Sequence, residues 1–110
     1  MKIYISGAIT GTDNYIERFA KAEKKLTEQG YSVVNPAKVN AQLPSDTDYE
    51  DYMKMSLCML DMCDSIYMLN GWSKSCGANR EYGYALAKNK PILYEEDICN
   101  ERNTIQSKAD

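Results

Sequence analysis

Lys2-Ile3-Tyr4-Ile5-Ser6-Gly7-Ala8-Ile9-Thr10-Gly11 opens with a short β-branched and aromatic run that Gly7 and Gly11 break. The period then changes. Tyr15, Phe19, Ala22 and Leu26 recur at spacings of three and four, as on the buried face of an amphipathic helix. Asn14 with Glu17 fits a capping box at its start, and Gly30 is placed to end it. The opening therefore reads as strand, glycine loop, helix, the first half of a βαβ unit.

Working outward, Tyr31-Ser32-Val33-Val34 makes a second strand, followed by Asn35-Pro36 and a polar loop to about Asp46. A loop of that length in a small domain is often functional. Thr47 with Glu50 offers another capping box, and Tyr49, Met53, Leu57 and Leu60 then share one helical face as far as about Met62. Residues 65–69 form a third strand, Asn70-Gly71-Trp72 leads to a helix from about Cys76 to Lys88, and residues 91–94 form a fourth strand. Alternating strands and helices favour right-handed crossovers and a parallel sheet covered on both faces. The expected fold is α/β, a flavodoxin-like three-layer sandwich with a four- or five-stranded parallel sheet. The domain runs over residues 1–94. Residues 95–110 are polar without a sustained apolar period, and read as a tail or a partner-contacting arm.

Composition narrows the chemistry. The chain has 110 residues, 44% hydrophobic and 26% charged, which suits one globular domain and contains no apolar run long enough to span a bilayer. The N-terminus reads as a strand rather than a signal peptide, so a cytoplasmic location is expected, without a membrane partner. Cys58, Cys63, Cys76 and Cys99 form no Cys-x-x-Cys pair and there is no histidine, so reduced thiols are expected and no metal site or cofactor. Without histidine, catalysis by Ser-His-Asp or Cys-His is excluded. Carboxylates, hydroxyls, thiols and amines remain. A net charge of -3 with no basic run favours a small ligand over nucleic acid.

In open α/β sheets ligands bind beyond the carboxyl ends of the strands. Gly7, Ala8, Ile9, Thr10 and Gly11 lie at that edge, where backbone amides can approach a phosphate or sugar at a helix N-terminus. The same glycine pair also suits a plain tight turn. It is neither a dinucleotide-binding G-x-G-x-x-G nor a P-loop. In Ser75-Cys76-Gly77-Ala78-Asn79-Arg80-Glu81-Tyr82-Gly83-Tyr84-Ala85, the residues Gly77, Glu81 and Ala85 fall on one helical face, so a carboxylate projects between two small residues. That carboxylate would underlie whatever fills the pocket. A solvated glutamate paired with Arg80 or Lys88 has the same spacing. Trp72 and Tyr84 can stack on a base or belong to core or rim. Met53, Met55, Met59, Met62 and Met68 read as core or interface filler.

Tyr4-Ile5-Ser6-Gly7-Ala8-Ile9-Thr10-Gly11 together with Ser75-x-Gly77-x-x-x-Glu81-x-Gly83-x-Ala85 resembles the nucleoside 2-deoxyribosyltransferase superfamily. The first segment is similar to the 2'-deoxynucleoside 5'-phosphate N-hydrolases, and the Trp72 to Ala85 stretch to an uncharacterised bacterial and phage branch. The resemblance covers about residues 2–94. It implies cleavage or transfer of the N-glycosidic bond of a (deoxy)nucleoside or its 5'-monophosphate, with Glu81 as the nucleophile and Tyr4 orienting it. Ser75, Gly77 and the Gly7 to Gly11 loop then hold the sugar or its phosphate, and Trp72 is a substrate-binding candidate. Where relatives place an acidic residue in the helix preceding Asp64, this chain has Ser56. Asp61 and Asp64 lie at the opposite edge of the sheet, which leaves Asp51 as the candidate acid, or else a helix-dipole residue. The alternative is a non-catalytic nucleotide-binding or sensing protein on the same fold. A phosphate-accepting receiver lacks its acidic cluster after the first strand, and a flavin carrier lacks its phosphate loop. The many large apolar residues between Tyr49 and Met62, and the resemblance, imply a homodimer or larger homo-oligomer.

Overall fold

A computed structural model of the chain describes residues 1–9 and 12–95. The elements run β1 (Lys2–Ser6), α1 (Tyr15–Glu28), β2 (Ser32–Val34), α2 (Pro36–Asn40), α3 (Tyr49–Asp61), β3 (Ser65–Met68), a 3-10 turn (Trp72–Lys74), α4 (Cys76–Ala87) and β4 (Ile92–Tyr94). All pairings are parallel and the sheet order is β2-β1-β3-β4. This is the flavodoxin-like order, with four strands among the described residues. The expected tail lies largely outside those residues.

Side-chain alternation in the two central strands sorts the core into two layers. Ile3, Ile5, Tyr67 and Leu69 pack with Phe19, Ala22 and Leu26 of α1 and Ala37 of α2. Tyr4, Ile66 and Met68 point the other way, onto Met59 and Leu60 of α3 and Ala78 and Ala85 of α4. β3 is buried along its whole length, whereas β2 and β4 at the sheet edges are only partly covered. Asp64 sits at the amino edge, where its carboxylate accepts from the Lys2 N–H at 2.8 Å, while Asp61 accepts from the Tyr84 hydroxyl at 2.8 Å.

The helix ends differ from the sequence expectation in instructive ways. Asn14 occupies the N-cap of α1 but makes no side-chain capping bond, so no capping box forms there. At the other end the Gly30 N–H donates to the Thr27 carbonyl and the Tyr31 N–H to the Leu26 carbonyl, with Gly30 at φ +95°. That pair of bonds is a Schellman cap, which needs a left-handed residue where glycine stands. α3 is capped by Asp48, whose carboxylate accepts from the Asp51 N–H at 2.9 Å, and not by Thr47. The 35–46 stretch is not all loop. Asn35 caps α2 by accepting from the Ala37 N–H at 3.0 Å, and Pro36 occupies the first helical position, where its missing N–H costs nothing.

Candidate functional site

A cavity of about 370 Å³ opens beyond the carboxyl end of β1, between the two helical layers. Gly7 forms its floor, Tyr15 comes from α1, Pro36 and Asn40 from α2, Tyr49, Tyr52 and Ser56 from α3, and Ser75, Gly77 and Glu81 from α4. Local sequence explains the α4 contribution. Ser75 is extended, its hydroxyl accepts from the Ala78 N–H at 3.1 Å, and the helix starts at the cavity wall. Ala78, Glu81 and Ala85 form its buried face. The two alanines let the helix lie close to the sheet, and Glu81 is carried under the cavity. A Cβ on Gly77 would meet Met53 Sδ and Tyr49 Oη, each at 3.4 Å, so the start of α4 lies within side-chain contact of α3.

Glu81 is 7% exposed, and two hydroxyls from β1 hold it. Tyr4 Oη donates to Glu81 Oε2 at 2.7 Å and Ser6 Oγ donates to Oε1 at 2.6 Å. Tyr4 and Ser6 alternate onto the same face of the strand, so the two bonds follow from the pleat. Burial pushes the Glu81 carboxyl up to about 7, against the lowering by hydrogen bonds from Ser6, Tyr4 and Ser56. Burial first, and then the adjacent charge of Glu81, raises the Tyr4 phenol well above its ordinary value, so it stays a donor. Each carboxylate oxygen accepting one bond retains a lone pair for chemistry.

The structure thus brings Tyr4, Gly7, Ile9, Ser75, Gly77 and Glu81 of the sequence-derived candidates to one cavity. Thr10 and Gly11 lie outside the described residues. Ala8 does not line the cavity; its carbonyl accepts from Thr12 Oγ1 at 3.4 Å. Two candidates lie elsewhere. Asp51 is exposed and faces Lys54 at 3.7 Å, because Tyr49, Tyr52, Met53 and Ser56 take the cavity side of α3 and Asp51 falls off that stripe. Trp72 stacks on Tyr82, with ring centroids 4.6 Å apart, and belongs to the α3/α4 core layer. Ser6 was not singled out from the sequence, although its alternation with Tyr4 signalled it. Tyr49 and Tyr52 were also missed as lining residues, because their helical spacing is equally that of a core face, whereas Ser56, named from the sequence as standing where relatives carry an acid, does line the cavity. No group of acidic or cysteine side chains able to hold a metal ion occurs among the described residues. No helix there is long and apolar enough to cross a membrane.

The parallel sheet, its order and the cavity at its carboxyl edge define the class: a doubly wound α/β domain with flavodoxin-like strand order. It is similar to a solved structure of a 2-deoxyribosyltransferase from the psychrotolerant bacterium Bacillus psychrosaccharolyticus, with a TM-score of 0.69 and 19% identity over 86% of this chain and 71% of that one. Comparison with curated protein sequences gives no match. The chain belongs to the DUF4406 family, a domain of unknown function, whose model matches residues 1–94.

Proposed function

We propose that this protein cleaves or transfers the N-glycosidic bond of a (deoxy)nucleoside or its 5'-monophosphate, with Glu81 as the nucleophile. The observation that carries the reading is the buried Glu81 carboxylate, set at the wall of a nucleoside-sized cavity and held by Tyr4 and Ser6. Bond breaking at an anomeric carbon passes through an oxocarbenium-like state. An adjacent carboxylate stabilises that charge and then forms a glycosyl ester, as in retaining glycosidases. Release to water makes a hydrolase, and release to a second base makes a transferase. A carboxyl near 7 is also poised to change charge near neutral pH. Ser75 and Gly77, at the start of α4, stand where a sugar hydroxyl or 5'-phosphate meets unpaired helix N–H groups.

The fold likeness to a 2-deoxyribosyltransferase supports the same reading. The test is base release from a panel of ribo- and deoxyribonucleosides and their monophosphates, followed by chromatography, for the wild type and Glu81→Gln. Base release by the wild type, abolished in the variant, is the expected result. Equal turnover by both removes Glu81 from the mechanism. A non-catalytic nucleotide sensor is the second reading, favoured by Ser56 lining the cavity in place of a second acid. Its signature is tight calorimetric binding without base release from any substrate.

A further inference from the structure

We propose that the preferred substrates of this cavity are N-glycosides whose base already carries a positive charge, such as an N-alkylated purine or a pyridinium. The inference depends on the N-glycosidic reading above and narrows its substrate class. Its starting point is the leaving group. When the C1'–N bond breaks, the electron pair stays on the base. An uncharged base therefore departs as an anion unless an acid protonates it, whereas a cationic base departs neutral and needs no proton.

Among the described residues lining the cavity, Glu81 is the one carboxylic acid, and no lysine or arginine lines it. Glu81 is committed to the sugar side, with each oxygen held by a hydroxyl of β1. Asp51 faces Lys54 on the outer side of α3, so it does not reach the base. Ser56 lines the cavity, and an aliphatic hydroxyl is a far poorer acid than a carboxyl. Among the described residues the cavity therefore holds the nucleophile of a two-carboxylate site without a second carboxyl, and its other acidic protons belong to weaker acids, the hydroxyls of Ser56 and of Tyr15, Tyr49 and Tyr52.

What it does hold favours positive charge. The Glu81 carboxylate is not offset by a cation in the lining. Asn40 lines the same space, and its buried Oδ1 has no hydrogen-bond partner, so a turn of its amide toward the cavity would supply a second acceptor. Tyr15 and Tyr52 also line it, and tyrosine rings attract cations at their faces. Tyr49 contributes less, since the Arg80 guanidinium already lies over its ring at 5.7 Å.

The step balances without an added acid. A Glu81 oxygen bonds to C1' as the C1'–N pair moves onto the ring nitrogen and cancels its charge, and the neutral base leaves. Water then attacks C1', the ester pair returns to Glu81, and the surplus proton of water passes to solvent. The net reaction is cationic N-glycoside plus water giving free sugar, neutral base and a proton.

The test uses the full chain and two matched pairs, 7-methylguanosine with guanosine and the corresponding 2'-deoxynucleosides, with nicotinamide riboside as the pyridinium probe. Base release is followed by chromatography and divided by the uncatalysed rate in the same buffer. Without acid assistance, the enzyme's preference for the methylated member, read as kcat/KM, matches or exceeds the uncatalysed preference. Glu81→Gln then loses at least about a hundredfold on it. An enzymatic preference more than about tenfold below the uncatalysed one overturns the proposal, because it reveals a proton donor at the base. Turnover of the unmethylated members in that pattern leaves the N-glycosidic reading standing. Absence of base release from every substrate, cationic ones included, overturns both.

Discussion

Replacing Glu81 by glutamine should make the protein more stable above neutral pH while leaving it unchanged in acid. The carboxyl is pushed from its ordinary 4.5 to about 7 by burial, with hydrogen bonds from Ser6, Tyr4 and Ser56 opposing only part of the rise. A carboxyl whose folded pKa lies above its unfolded value binds more protons when folded. Its contribution is complete below the unfolded pKa and is lost as pH rises through the folded one. A shift of this size corresponds to about 3 kcal/mol, at about 1.4 kcal/mol per pH unit. Glutamine keeps the shape and has nothing to ionise; one of the Tyr4 and Ser6 hydroxyls still donates to its amide oxygen, and the other rotates to accept from its NH2. The stability difference between variant and wild type should therefore grow by about 3 kcal/mol between roughly pH 5 and pH 8. In a domain this small, that is a relative rise in Tm of roughly 10–15 °C. Thermal melts followed by circular dichroism across that range measure it without any substrate. Parallel pH curves for the two proteins would show that Glu81 ionises in the fold as it does in water, and would refute the account of a carboxylate held at a stability cost.

Three further outcomes follow from the same geometry. Tyr4→Phe removes the 2.7 Å bond to Glu81 Oε2, and a hydrogen bond to a charged group is worth about 1.5–3 kcal/mol. The limb on which activity rises with pH, set by ionised Glu81, should move about one to two pH units higher, and an unmoved pH–rate profile would detach Tyr4 from the carboxylate. Gly7→Ala places a Cβ 2.9 Å from Leu69 Cδ1 and 3.0 Å from Leu69 Cβ, against a side chain that is fully buried. Urea unfolding should show a loss of about 1–3 kcal/mol, and an unchanged midpoint would mean that the end of β1 yields to the methyl group. Met55 on α3, Met62 at its C-cap and Leu86 on α4 are 38%, 62% and 51% exposed, so a second copy should cover them. Sedimentation should report at least twice the 12.5 kDa chain mass, and a monomer at micromolar concentration would defeat the interface.

The fold was largely legible in the sequence because its signals are local. The Lys2 to Ser6 run, the Tyr15-Phe19-Ala22-Leu26 stripe and Gly30 specify strand, helix face and helix end through pleat, helical period and the left-handed freedom of glycine, none of which needs a distant partner. The Asn35-Pro36 start of α2 is equally local, yet a single short turn has too few residues to show a period and is indistinguishable from loop. α3 was placed correctly while its cap was assigned one residue early, to Thr47 rather than Asp48.

The site was legible only in part. The motif names Glu81 and Tyr4, yet their contact joins residues 77 apart in the chain, and only the packing of α4 against β1 brings them together. Tertiary structure also decided which face of α3 borders the cavity. A helical stripe of Tyr49, Tyr52, Met53 and Ser56 has the same period whether it meets core, partner or ligand. Its role is set by the position of α3 beside α4 and β1, which turned Ser56 inward and left Asp51 in solvent. The pKa of Glu81 belongs to this second kind of information. Residue type fixes its unperturbed value, and only the burial produced by three elements meeting at one point moves it to about 7.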